Sequence, residues 1–186
     1  MKSIFFVVLF FYGTIFSIAQ THAIGFRVEP FLFMSKTESS HPYSYKLDDE
    51  VKPYLTSFNF LYKYKFSDEL ALNTSLGYLW TNKGGYNGAE ITEFVEYSIS
   101  SKSYLLSGVN FHLNESGTSN QFTAKGTTIP LIVIGAGLKF SRMTHLELQY
   151  QIPLTVEYKT SMWDEYIVSY KLSGIIKLSF GLEWEL

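Results

Sequence analysis

The chain has no cysteine, so neither a disulfide framework nor a thiolate nucleophile or metal site is open to it. Charge is also scarce: 17% of the 186 residues are Asp, Glu, Lys or Arg, and the net charge is -2. Nucleic-acid affinity comes mainly from Lys and Arg neutralising phosphates, so a chain without a basic field is not a nucleic-acid binder. No segment after Gln20 sustains a helical period, and none reads as a linker between two cores. A single domain held by strand pairing and packing is what remains. Aromatics are in excess at 18%, which suits a protein with large apolar surface on more than one side.

The N-terminus has the three parts of a secretory signal: Lys2, the apolar run Ile4 to Phe16, and the small pair Ser17 and Ala19 at a cleavage position. The apolar run is shorter than the ~20 residues a spanning helix needs. Residues 1–19 are therefore expected to be removed before Gln20, leaving 20–186 as the mature domain.

Period-two alternation recurs along that mature part, the mark of strands with one apolar face. It is clearest where Leu146, Leu148, Tyr150, Ile152, Leu154, Val156 and Tyr158 alternate with Glu147, Gln149, Gln151, Pro153, Thr155 and Glu157. Pro153 removes a ladder donor and points to a bulge. Tyr54, Phe58, Phe60, Tyr62, Tyr64 and Phe66 form a second apolar stripe, and Tyr170 to Leu186 a third. The runs give strands at about 23–34, 54–66, 69–81, 90–100, 103–114, 129–141, 145–158 and 169–186, with 90–114 open to reading as one irregular strand. Long polar segments at 35–53, 82–89, 115–128 and 159–168 alternate with tight turns at 67–68, 101–102 and 142–144. The expected fold is all-β: an antiparallel up-and-down transmembrane β-barrel of eight strands, with both termini and the short turns in the periplasm.

A soluble lipocalin-like barrel, polar outside and apolar inside, is the main rival. Against it stand apolar stripes long enough for the ~9–11 tilted residues of a spanning strand. Threading also places Tyr62, Tyr64, Phe66 and Trp184 at the inner rim and Tyr78 and Trp80 at the outer one, as aromatic girdles require. The terminal run Ser179-Phe180-Gly181-Leu182-Glu183-Trp184-Glu185-Leu186 has the order polar, any, Gly, any, any, aromatic, any, hydrophobic. It resembles the terminal signal of small outer-membrane β-barrels of the outer membrane protein A transmembrane domain and outer membrane protein X type, with Leu186 where an aromatic is commoner. That resemblance implies an outer-membrane location, contact with lipid and lipopolysaccharide, and insertion by the barrel-assembly machinery through the last strand.

If the stripes face lipid, Arg27, Glu29, Lys63, Lys65, Glu96, Lys139, Glu147, Glu157, Lys171, Lys177 and Glu183 point inward. Arg27 and Glu29 are then expected near Lys177 and Glu183, since unpaired buried charge is costly. Inward Gly25, Gly77, Gly108, Gly135, Gly137 and Gly181 leave room for long side chains. An eight-stranded barrel filled this way is no diffusion pore.

Of the four histidines, His22 precedes the first strand, His41 sits in the first long loop, His112 faces inward near the outer end, and His145 lies at a periplasmic turn. His41 shares its loop with Ser39, Ser40 and Asp48-Asp49-Glu50, the residue types of a nucleophile, base and orienting acid, but at no supporting spacing. The acidic run also lacks the alternate ligands and turn glycine of a calcium loop. Asn73-Thr74-Ser75 and Asn114-Glu115-Ser116 match glycosylation acceptors, irrelevant in a bacterial envelope. Tyr86, amid Gly84, Gly85, Asn87 and Gly88, is either an external recognition tip or part of a plain connection. No catalytic, cofactor or metal residue is assigned. The expected function is a noncatalytic outer-membrane barrel that supports envelope integrity or presents loops for adhesion or binding. The alternatives are a lipid A-modifying enzyme and a soluble ligand carrier.

Overall fold

The computed structural model describes residues 21–39, 50–54, 57–81, 86–118, 123–124, 126–155, 157–163 and 166–186. The first stave of the barrel is β1 (His22–Val28) continued by β2 (Phe31–Ser39), interrupted at Glu29-Pro30 where proline offers no ladder donor. The second is β3 (Glu50–Tyr54) leading into β4 (Ser57–Lys65). Then come β5 (Leu70–Leu79), β6 (Gly88–Ser98) and β7 (Ser103–Asn114), a two-residue pair β8 (Gly117–Thr118) and β9 (Thr123–Ala124), and β10 (Thr128–Lys139). The chain ends with β11 (Thr144–Pro153), its extension β12 (Glu157–Trp163), and β13 (Tyr166–Glu185). Residues 90–114 thus form two strands, β6 and β7, paired from Gly88↔Asn114 to Ser98↔Tyr104.

All pairings are antiparallel, in the order β1–β4–β5–β6–β7–β10–β11–β13, and β13 pairs back onto β1 from Ala23↔Glu185 to Val28↔Phe180. Eight staves therefore close into a barrel without a free edge in the ring. Thr21, the first described residue, and Leu186 lie at one rim: Lys65 N donates to Thr21 O (3.1 Å) and Leu186 N to His22 O (2.8 Å). The same rim carries the three tight turns. Ser67, Ser100 and Ser141 each follow an apolar residue, and each Oγ accepts the backbone N–H groups two and three residues on, at 3.0–3.3 Å. One hydroxyl device thus closes all three hairpins at this rim. At the opposite, outer rim β2, β3, β12 and β13 run on beyond the ring, with β8 and β9 added to β12.

Burial is inverted relative to a soluble barrel. Phe60 is 76% exposed, Phe140 67% and Leu148 57%, whereas Glu90 and Glu147 are fully buried and Arg27 and Lys177 are 1% exposed. Water would not support that exterior, whereas a bilayer does, so the soluble carrier reading fails here. The girdle residues lie where threading puts them: Trp184 packs on Phe26 (5.7 Å) at the terminal rim, and Trp80 on Tyr78 (4.4 Å) at the other.

The alternation is not continuous to the outer rim, and residues on three staves fall on the opposite face from that expected. Between Tyr54 and Ser57 the inward parity changes from even to odd, so Tyr54 turns into the mouth while Phe58 faces out. Beyond Pro153 the stave resumes with its parity reversed, burying Tyr158 and turning Glu157 away from the lumen. In β13 an extra residue between Leu172 and Gly174 does the same, burying Leu172 and sending Lys171 outward to Glu38 (2.5 Å). A bulge inserts one residue, and one residue flips every side chain beyond it.

Candidate functional site

The lumen is where the chain concentrates its chemistry. Its inner part is built on odd positions of β1, β4, β10, β11 and β13 and even positions of β6 and β7. Lys63 bridges Glu96 (2.8 Å) and Glu183 (2.7 Å), and Lys139, half-buried at the rim, reaches Glu96 from the other side (2.8 Å). Arg27 faces Glu147 (3.3 Å) and lies over the Phe94 ring (4.9 Å). The same Glu147 accepts hydrogen bonds from the Tyr104 hydroxyl (2.8 Å) and the Gln149 amide (2.9 Å). Lys65 sits at the rim beside Glu185. Arg27 therefore finds its partner on β11, one stave beyond the adjoining β13.

Further out, Lys177 sits between Glu29 (3.0 Å) and Glu90 (2.7 Å). Asn59 (2.8 Å) and Ser179 (2.9 Å) also donate to Glu29, while Asn110 (2.9 Å) and Ser57 (3.2 Å) donate to Glu90. Each carboxylate thus accepts an ammonium and at least two neutral donors, the condition under which buried ions are tolerated. Glu90 was not among the residues read as inward, although it shares even parity with Glu96. Sequon residues Asn73 and Asn114 are inside this lumen, Asn73 donating to Glu96 (3.3 Å).

Long side chains fit because their cross-strand partners are small. Tyr104 lies over its partner Gly137, where a Cβ would come within 2.1 Å of the ring, and His145 covers Gly181 in the same way at 2.0 Å. The glycine of the terminal signal is therefore the floor for a buried histidine, whose Nδ1 lies 3.3 Å from Glu183.

The outer end is filled by rings instead of ions. Tyr86 is 1% exposed and stacks flat on His112, centroids 4.0 Å apart at 8°. Phe33 (5.0 Å) and Tyr158 (5.5 Å, 86°) pack around it, with Phe31, Leu79, Ile129, Leu131, Leu172 and Ile175 completing the cluster. Tyr86 is thus neither an exposed tip nor a plain connection but the lid of the lumen, and the interior is not polar throughout. The signal was available in Phe31 and Phe33, which share odd parity with Arg27 and Glu29.

The comparisons fit this geometry. The structure is similar to that of outer membrane protein AlkL solved in lipid bilayers, with TM-score 0.55 and 13% identity over 91% of this chain and 93% of that one. It is similar also to outer membrane protein OprG of Pseudomonas aeruginosa, with TM-score 0.51 and 10% identity over 88% and 96%. The fold is that of the small outer-membrane β-barrels. No family model and no curated protein matches the sequence, so the likeness concerns fold alone.

Among the histidines of this barrel, His22 is the first residue of β1 and its Nδ1 meets the Tyr62 hydroxyl (2.7 Å). His112 and His145 are buried in the lumen, and His41 lies outside the described residues, as do Ser40, Asp48 and Asp49. Glu50 is exposed and pairs with Lys52. Ser39 is the last residue of β2, opposite Val168. No three His, Asp or Glu side chains among the described residues converge as a metal site.

Proposed function

We propose that the protein is a noncatalytic outer-membrane barrel, sealed along its lumen, that stiffens the envelope and offers its extended outer end for binding. The observation that carries this is the continuous filling of the lumen, from the Lys63–Glu96–Lys139 group through Lys177 to the Tyr86–His112 stack. A barrel of eight staves has only enough interior for its own side chains, and here they occupy it. Export by residues 1–19 as a cleaved signal, and insertion by the barrel-assembly machinery, belong to the same reading. The last strand supports it by forming the closing seam, β1 on one side and β11 on the other.

His112 gives a lipid A-modifying reading no support, since its ring is fully buried beneath Tyr86 and out of reach of an acyl ester. The test is electrical. Purified barrel in planar bilayers should show no stable conductance steps, and large, long-lived steps would refute the sealed lumen.

A further inference from the structure

Between its girdles a transmembrane barrel shows lipid an apolar band, and most staves here comply. β1, β4, β10, β11 and β13 present only apolar and aromatic side chains outward across that band. Among the described residues of the band, the polar outward ones are Thr74 of β5, Glu93 of β6 and Ser107 of β7, on three consecutive staves. Glu93 stands between the buried Thr92 and Phe94, so its parity is outward. It lies four residues from Ala89, which pairs with the girdle residue Tyr78, and four from Tyr97 at the inner end of β6. At about 3.3 Å per residue on a tilted strand, the carboxyl is about 10 Å from either edge of the band, too far for its own side chain to bridge.

Hydrocarbon offers a carboxyl neither a donor nor an acceptor, so an ionisable residue at this depth marks a functional contact. Neighbours on its own face supply no counter-charge. The cross-strand partners of Glu93 are Thr74 and Val109, and the next positions on the same face of those strands are Leu72, Leu76, Ser107 and Phe111. None of the six is a cation. The lysines of the lumen, Lys63 and Lys177, are held by carboxylates on the other side of the sheet. The group that meets Glu93 therefore comes from outside the barrel.

A closed ring has no strand edge to offer, so a neighbour in the membrane meets this face side chain to side chain, and small residues let it come close. Val95 and Val109 flank Glu93, whereas β4 presents Phe58 and Phe60 to lipid and β10 presents Phe140. The polar row is also self-complementary. A two-fold axis along the membrane normal at β6 sets Glu93 against Glu93 and β5 of each copy against β7 of the other, so Thr74 and Ser107 hydroxyls stand on both flanks. Two carboxyls in dry contact share a proton, and flanking hydroxyls donate to them.

We propose that the β5–β6–β7 face binds a second copy of this chain, forming a two-fold dimer in the membrane joined through Glu93. The dimer requires only that this face meet lipid, and it is indifferent to whether the lumen conducts. Because the chain has no cysteine, single thiols report the contact. The mature barrel is reconstituted at low density in phospholipid vesicles and oxidised, carrying either Val95→Cys beside Glu93 or, as a control, Leu178→Cys on β13 across the ring. Val95→Cys should cross-link to a dimer at least about tenfold faster than Leu178→Cys. Adding Glu93→Leu should remove that excess, while Glu93→Gln, whose amide both donates and accepts, should keep it. Leucine suits a lipid-facing position, and heat-modifiable migration on gels checks that each variant is folded. In mild detergent the parent barrel should scatter light as two chains and Glu93→Leu as one.

Equal cross-linking at the two positions, a parent barrel that scatters as one chain, or a Glu93→Leu variant as dimeric as the parent would each overturn the assignment of this face to a second copy.

Discussion

The inner lumen and the outer mouth solve the same filling problem with opposite chemistry. Inside, Arg27, Lys63 and Lys177 are each held against carboxylates at 2.7–3.3 Å, and neutral Asn, Gln, Ser and Tyr donors take up the remaining acceptors. Outside, Phe31, Phe33, Tyr86 and Tyr158 meet ring on ring with no ion pair among them. Ion networks demand registration to a fraction of an ångström, so they stand where every stave keeps one unbroken alternation. Rings tolerate more, and they fill the end where staves break, bulge and run on beyond the ring.

The largest expected effect comes from breaking the inner side of that comparison. Lys177→Met leaves the Glu29 and Glu90 carboxylates facing each other without their ammonium. Urea unfolding in detergent should show a loss of about 3–5 kcal/mol, the usual cost of stranding a buried charge.

The same contrast explains how much the sequence disclosed. Eight strands, the closing seam, the polar inward residues Arg27, Glu29, Lys63, Glu96, Glu147 and Lys177, and the glycines beneath the rings were readable because alternation within the ring is unbroken. Tyr54, Tyr158, Glu157 and Lys171 were misplaced because the inward parity changes along their staves, and alternation within a strand carries no record of where such a change falls. Pro153 marked one such place. Tyr86 was unreadable for another reason: its glycine-rich setting looks like any surface loop, and only the tertiary fold brings it over His112. Of that outer region, only the odd-parity Phe31 and Phe33 and the inward His112 were legible beforehand.

Gly137→Ala sharpens the inner side. A Cβ there would press on the Tyr104 ring, whose hydroxyl is tied to Glu147, so the ring cannot leave without breaking that bond. A loss of about 1–3 kcal/mol is expected in the same unfolding assay, the range of overpacked cores. Ser141→Ala, at the inner turn, frees two N–H groups that water can reach, and should cost about 1 kcal/mol. Ser67→Ala and Ser100→Ala should match it, since the three turns use one device.

The smallest effect belongs to the outer mouth. Tyr86→Phe keeps the stack on His112 and removes a buried hydroxyl that has no partner among the described residues. Its unfolding midpoint should equal or exceed that of the parent protein. A loss comparable to that of Ser141→Ala would show that the outer end depends on polar contacts as the inner one does, and would erase the contrast.

The central claim is the inverted barrel itself, and the absence of cysteine makes it directly testable, because each introduced thiol is unique. Spin labels placed singly from Leu146 to Ile152 along β11, in reconstituted membranes, report accessibility to lipid-soluble oxygen and to a water-soluble nickel reagent. The account predicts a period-two pattern, with oxygen maxima at positions 146, 148, 150 and 152 and nickel excluded there. Nickel maxima at those same positions would mean that the apolar stripe faces water, and would contradict the account.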